Sequence, residues 1–236
     1  MVAGARAEVG SDGVVRRPGV VLFDVNETLS DMSTMAERFT EVGAPGHLAG
    51  AWFAGLLRDG FALAAAGASA SFADIGTGLL RVRLTGLPLN RDLTGAVEHI
   101  MGGFGRLELH PDVAPGIAAL AGLGLRLVTL SNGSASVAAD LFERAGIRDR
   151  FELLLSVEDA GVWKPAPGSY GYALNRCRVG ASETMLVAAH PWDIDGASRA
   201  GLLTAWLNRS GEPYPSYFRR ADVEVDTLHH LAEVLS

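Results

Sequence analysis

The apolar run Val20-Val21-Leu22-Phe23 stops at Asp24, and a polar turn, Asn26-Glu27-Thr28, follows almost at once. A continuous Val/Leu/Phe stretch of this kind reads as a strand buried on both faces, as in the interior of a parallel sheet. Parallel sheets take their ligands at the carboxyl ends of the strands, where strand ends and helix starts converge. A carboxylate at that edge is a nucleophile, a metal ligand or a helix cap, and other segments have to separate the three.

Runs of the same kind recur. They predict strands over residues 20–23, 125–130, 151–156, 185–189, 203–207 and 223–225, alternating with helical patterns over 113–122, 135–145, 169–177, 194–200 and 228–235. Such alternation implies an α/β fold, a parallel sheet with helices on both faces. From residue 32 to 104 the rhythm changes to helical periodicity alone, over 33–42, 47–66, 72–84 and 91–101, with breaks at Gly43-Ala44-Pro45, Gly67 and Gly86-Leu87-Pro88. The expected organisation is a flexible tail at 1–17, a core from 18–31 and 105–236, and an inserted helical cap at 32–104.

A chain of 236 residues suits one sizeable α/β domain plus such an insertion. The net charge of −7 argues against a broad surface for nucleic-acid phosphates. No apolar run approaches the roughly 18 residues of a membrane helix. The first 18 residues lack the apolar segment of a secretory signal. Cys177 is the only cysteine, which excludes an intrachain disulfide and suits a reducing cytoplasm. The expectation is a cytoplasmic protein with no nucleic-acid or membrane partner.

Three more segments carry chemistry. Leu130-Ser131-Asn132-Gly133-Ser134 ends a buried run and enters a helix, where hydroxyl and amide donors can meet an anion. In Trp163-Lys164-Pro165-Ala166-Pro167, the prolines on either side of Ala166 hold the backbone extended and fix the reach of Lys164. In Ala188-Ala189-His190-Pro191-Trp192-Asp193, polar groups again follow a buried run. Each has an ordinary reading too: a turn cap for Ser131 and Asn132, a solvated charge for Lys164, an N-cap for Asp193, a structural hydrogen bond for His190.

Taken in order, Asp24, Ser131, Lys164 and Asp193 resemble the four motifs of the haloacid dehalogenase superfamily, from about Val20 to the C-terminus. The resemblance implies a Rossmann-like core with a helical lid placed after the first motif. Phosphatases of that superfamily carry a second Asp two residues after the nucleophile and acidic metal ligands in the fourth motif. Here those positions hold Asn26, which has no transferable carboxyl proton, and Ala188, Ala189 and His190. The wording Phe23-Asp24-Val25-Asn26-Glu27-Thr28-Leu29 looks instead like the type II 2-haloacid dehalogenases, which use no metal.

By that resemblance Asp24 is the nucleophile and Lys164 keeps it ionised. Family members carry a Ser and an Asn where this chain has Ala188 and His190, so the hydrolytic-water site is expected to be rebuilt, with His190 and Asp193 serving the water. The substrate, a small carboxylate, would meet Thr28, Asn26, Ser131, Asn132 and Tyr170, with Trp52 and Phe53 as an apolar wall. The resemblance further implies a homodimer and no cofactor. Family members receive the halide on an arginine just after a cap tryptophan; here Trp52 is followed by Phe53, and Arg58 lies further along. Helical spacing alone reads Trp52 and Phe53 as cap core. The alternatives are a Mg²⁺-dependent phosphatase of small molecules and a binding homologue without turnover.

Overall fold

The computed structural model describes residues 16–236, so the expected tail at 1–17 lies, except for its last two residues, outside the described residues. In chain order the elements are β1 (Val20–Phe23), β2 (Ser30–Asp31), α1 (Met35–Thr40), α2 (Leu48–Ala65), α3 (Phe72–Leu84) and α4 (Leu93–Phe104). Next come β3 (Glu108–Leu109), α5 (Val113–Gly122), β4 (Arg126–Ser131), α6 (Ala135–Arg144), β5 (Leu153–Ser156) and α7 (Val157–Ala160). The chain closes with α8 (Pro167–Cys177), β6 (Thr184–Ala188), α9 (Pro191–Arg199), β7 (Leu203–Leu207), β8 (Val223–Val225) and α10 (Leu228–Val234).

Six strands form one sheet in the order β5-β4-β1-β6-β7-β8, and every neighbouring pair is parallel. The chain leaves β1 in both directions, so β1 is the point where strand order reverses. Its Phe23 lies opposite Thr129 of β4 and Val187 of β6. The carboxyl ends of β4, β1 and β6 therefore open side by side, where α/β sheets form their crevice.

Period-2 alternation along β1 sends its side chains into two cores. Val21 and Phe23 pack with Val113, Ile117 and Leu120 of α5, Phe142 of α6 and Leu228 of α10. Val20 and Leu22 belong to the other cluster, with Tyr170 and Ala173 of α8 and Ile194 of α9. That second cluster runs on without a break into the helices after β1, through Phe39, Trp52, Leu56, Phe72, Leu80 and Ile100. Sequence breaks set the starts of these helices. Ser71 accepts a bond from the Asp74 N–H at the head of α3, and Asp92 from the Gly95 N–H at the head of α4.

Two expectations shift. Helices α8 and α9 begin at Pro167 and Pro191, earlier than the periodicity suggests, because proline at the first helical position loses no hydrogen bond. The residues around Lys164 accordingly form a turn, with a cis Lys164–Pro165 peptide, and only Ala166 is extended, as the N-cap of α8. The second addition is the antiparallel pair β2–β3, Ser30 opposite Leu109 and Asp31 opposite Glu108, which ties together the two ends of the helical stretch. Two-residue strands leave no periodic signal.

Helices α5 and α10 meet at Gly116, where an added Cβ would fall on the Leu228 Cβ and within 3.1 Å of its backbone. Gly122 of the same helix has nothing within 4 Å of that position. Gly116→Ala should therefore lower unfolding free energy in urea by about 1–3 kcal/mol through overpacking, whereas Gly122→Ala should raise it by about 0.5–1 kcal/mol. Equal effects at the two positions would mean that the α5–α10 contact is not close-packed.

Candidate active site

Asp24 takes its place from the sheet. Its N–H donates to the Val187 carbonyl (3.0 Å), continuing the β1–β6 ladder by one residue. The chain then turns back, with the Leu29 and Ser30 amides donating to the Val25 carbonyl. This turn brings Thr28 beside the carboxylate. The Thr28 hydroxyl donates to Asp24 Oδ2 (2.6 Å) and accepts from the Ala189 N–H (2.9 Å) at the end of β6. Thr28 is thus bound to Asp24 itself, where the sequence had suggested the substrate.

Lys164 enters from the loop between α7 and α8 and is fully buried. Its ammonium donates to Asp24 Oδ1 (2.8 Å) and Asp193 Oδ2 (2.5 Å), a lone cation between two carboxylates. Asn132 holds this lysine by its backbone: Oδ1 accepts from the Lys164 N–H (3.0 Å) and Nδ2 donates to the Lys164 carbonyl (3.4 Å). The Asn132 side chain therefore serves Lys164, a correction to its assignment as a substrate contact. The Tyr170 hydroxyl donates to Asp193 Oδ1 (2.6 Å), so it too acts behind the crevice and not on its surface. Asp193 sits in the first turn of α9, whose N-cap is His190, and its carboxylate faces Lys164 and Tyr170; the N-cap reading fails.

His190 lies on the open side of Asp24. Its Nδ1 is 3.2 Å from Asp24 Oδ2 and its Nε2 is 2.8 Å from Glu27 Oε2. Both ring nitrogens meet carboxylate oxygens, and only the imidazolium has two N–H donors to offer them. The Trp192 ring stacks on His190 at 5.1 Å and passes over Lys164 Nζ at 5.8 Å. From the insertion, Phe53 approaches His190 at 6.4 Å, Phe61 meets Trp192 at 4.8 Å, and Phe72 stacks on Trp163 at 6.2 Å.

Phe53 thus stands at the wall of the site. Trp52 does not: it is fully buried among Phe39 and Phe104, with Nε1 donating to the Gly76 carbonyl (3.0 Å). Helix geometry explains the split, since adjacent residues on a helix face different ways. Arg58 is exposed and pairs with Asp59 (2.7 Å). A small cavity beside the Asp24 turn is lined by Val25, Asn26, Ser30, Ser131, Gly133 and Phe104. Ser131 Oγ accepts from the Gly133 N–H (2.9 Å) and keeps its own proton to donate.

Charge follows geometry. Burial works to raise the Asp24 carboxyl, but the Lys164 ammonium and the His190 bond outweigh it and hold the group far below the ordinary carboxylate range. Burial likewise opposes the charge on Lys164, yet Asp193 and Asp24 raise its pKa. Asp193 is raised, by burial and the neighbouring Asp24 charge, against the pull of Lys164. Burial and Asp193 push the Tyr170 phenol well above its usual value, so it stays a donor. Burial lowers His190, but its bonds to Asp24 and Glu27 prevail and bring it from 6.5 to about 9.

Superfamily members that use Mg²⁺ need carboxylate oxygens free to face the ion. Here every oxygen of Asp24 and Asp193 is engaged by Lys164, Thr28, His190 or Tyr170. Among the described residues no group of three or more His, Cys, Asp or Glu could hold a metal. The donor set does not fit Mg²⁺. Sequence reasoning missed Glu27 and Trp192. A carboxylate in the turn after Asp24 and an aromatic next to His190 were visible but had no assigned partner.

A group whose pKa is raised on folding stabilises fully below its unfolded pKa and loses that contribution as pH rises through the folded value. For His190 the window runs from 6.5 to about 9. The unfolding free-energy difference between wild type and His190→Asn should shrink by about 3 kcal/mol across that window, read from urea titrations. A difference that stays flat with pH would show that His190 is uncharged.

Residues 19–201 match the haloacid dehalogenase-like hydrolase family. Haloacetate dehalogenase H-2 of Moraxella sp. (strain B) is 33% identical over 132 residues, 55% of this chain; the chain spans little more than half of that relative's length, 59%. The (S)-2-haloacid dehalogenase of Xanthobacter autotrophicus is 30% identical over 192 residues, covering 80% of this chain and 74% of that protein. A solved structure of the L-2-haloacid dehalogenase from Xanthobacter autotrophicus with chloropropionic acid covalently bound superposes with a TM-score of 0.82 at 26% identity, over 92% of this chain and 98% of that one. Strand order, the helices inserted after β1 and the match over residues 19–201 agree, and the chain belongs to the haloacid dehalogenase-like hydrolase family.

Proposed function

We propose that this protein is a metal-independent hydrolase that displaces halide from a short 2-haloalkanoic acid through an aspartyl ester, giving a 2-hydroxy acid. The observation that carries this reading is the buried Lys164 ammonium on Asp24 Oδ1, which keeps an otherwise desolvated carboxylate ionised and nucleophilic. Asp24 attacks the halogen-bearing carbon in line and expels the halide. Ser131, Asn26 and the amides at the head of α6 receive the substrate carboxylate. Thr28 and Asn132 act from behind, on the nucleophile and on Lys164. Water next attacks the ester carbonyl of Asp24, oriented by His190; Asp193, whose two oxygens are held by Lys164 and Tyr170, acts only through Lys164. The covalently held chloropropionic acid in the Xanthobacter autotrophicus enzyme supports a covalent intermediate.

The same reading takes residues 18–31 and 105–236 as the core and 32–104 as a lid. Phe53 replaces the halide-receiving arginine, which favours larger, more apolar substituents over simple chloroacids. It extends to a homodimer, which light scattering of the purified protein tests, in the cytoplasm. The single Cys177 and a described chain in which no helix is long and apolar enough to cross a membrane support that location.

Halide release from 2-chloropropionate, chloroacetate and fluoroacetate, with and without EDTA, is the direct assay. Release should be unaffected by EDTA and should vanish in Asp24→Asn, because an amide cannot attack carbon. In a single turnover in ¹⁸O water, label should enter Asp24 before product. Label found first in the product would mean that water attacks the substrate directly.

A further inference from the structure

Glu27 is one of two non-glycine described residues with positive φ, at 60°; the other, Arg178, simply ends α8. Glu27 ends no helix, and its turn is clamped from outside. Its carbonyl accepts from His110 Nε2 (3.1 Å), and the next carbonyl, of Thr28, accepts from Arg209 Nη1 (2.8 Å). Arg209 is held in turn by both oxygens of Asp112 (2.9 and 3.2 Å). Two side chains from distant elements thus maintain a backbone conformation that a glutamate does not favour. The result is a carboxylate delivered 2.8 Å from His190 Nε2.

Resting on the aspartyl-ester reading, we propose that Glu27 is the positioning residue of its second half-reaction: it fixes His190 so that Nδ1 faces Asp24 as the base for the hydrolytic water. The charged groups facing His190 are Asp24 from the end of β1 and Glu27 from the turn; Lys164 holds the other oxygen of Asp24, Asp193 lies beyond that lysine, and α2 and α9 contribute the uncharged rings of Phe53 and Trp192. While Asp24 is free, His190 carries two protons and cannot act as a base. Esterification removes the negative charge on Asp24 and leaves the imidazolium with one charged partner. The Nδ1 proton then leaves to solvent, the one proton released overall when a carbon–halogen bond is hydrolysed. Nε2 keeps its proton on Glu27, which leaves the Nδ1 lone pair aimed at the ester.

Nδ1 takes a proton from water as the oxygen bonds to the Asp24 carbonyl carbon. The ester C–O bond breaks, and the departing alkoxide takes that proton. The new carboxyl of Asp24, in a site that keeps it ionised, returns its own proton to Nδ1. Substrate and water have become hydroxy acid, halide and one proton, and the resting state is restored.

Rapid-quench chloride release and mass analysis of Asp24 with (S)-2-chloropropionate test this in the full chain. Glu27→Gln keeps an acceptor for Nε2 without the charge, and Glu27→Gly suits the positive φ and removes the side chain without strain. In both, the chloride burst of one equivalent per site should persist within about threefold, while ester hydrolysis slows about 10-fold in the Gln and about 100-fold in the Gly variant. The ester should accumulate on Asp24. The acid limb of the hydrolysis rate should move down by about one pH unit in Glu27→Gln, a shift that a merely structural residue does not produce. An unmoved limb, or burst and hydrolysis slowed equally, would overturn the role of Glu27. If the wild type forms no ester with (S)-2-chloropropionate or with a larger, more apolar (S)-2-chloro acid, the underlying reading fails, and the role of Glu27 with it.

Discussion

One buried ammonium organises the strand ends. Lys164 touches Asp24 and Asp193 together, and none of the three side chains has appreciable contact with solvent. Removing such ions from water costs several kcal/mol each, so they persist only as a matched set. With His190 as imidazolium, two positive charges face the three carboxylates of Asp24, Asp193 and Glu27. Thr28 and Tyr170 satisfy the carboxylate oxygens that remain, and Asn132 holds the lysine in register. The arrangement engages every carboxylate oxygen of Asp24 and Asp193, which leaves neither group an oxygen free to face a metal.

Much of this was legible in the sequence. Strands buried on both faces announce themselves as apolar runs, and β1, β7 and β8 fall at the predicted residues. Long helices with a persistent apolar stripe, such as α3 and α5, were equally plain. Misreadings arose where one residue type has two meanings. Pro167 read as holding the backbone extended and Pro191 carried no helical signal, yet both open helices. The strands β2 and β3 are too short to show a period.

At the site, sequence order brought Asp24, Lys164, Asp193 and His190 to one place, because successive strand ends of a parallel sheet share an edge. It could not tell which way each neighbour turns. Asn132 and Thr28 face their own machinery. Those directions depend on backbone angles in short turns, which no pattern of residue types encodes, whereas helical spacing alone places Trp52 in the interior of the α1–α4 helices. The positive φ of Glu27 belongs to the same class, since nothing in Asn-Glu-Thr signals it.

The turn after Asp24 depends on residues made much later. Lys164 lies 140 positions downstream, His190 166, and the Arg209 that grips the Thr28 carbonyl is 181 beyond it. At roughly 5–20 residues per second, a ribosome needs on the order of ten to forty seconds to bridge that interval. Throughout it Asp24 is an ordinary solvated aspartate, without the lysine that sharpens it or the histidine beside it. The electrostatic setting of Asp24 is therefore a property of the finished sheet, and a nascent or prematurely released chain lacks it.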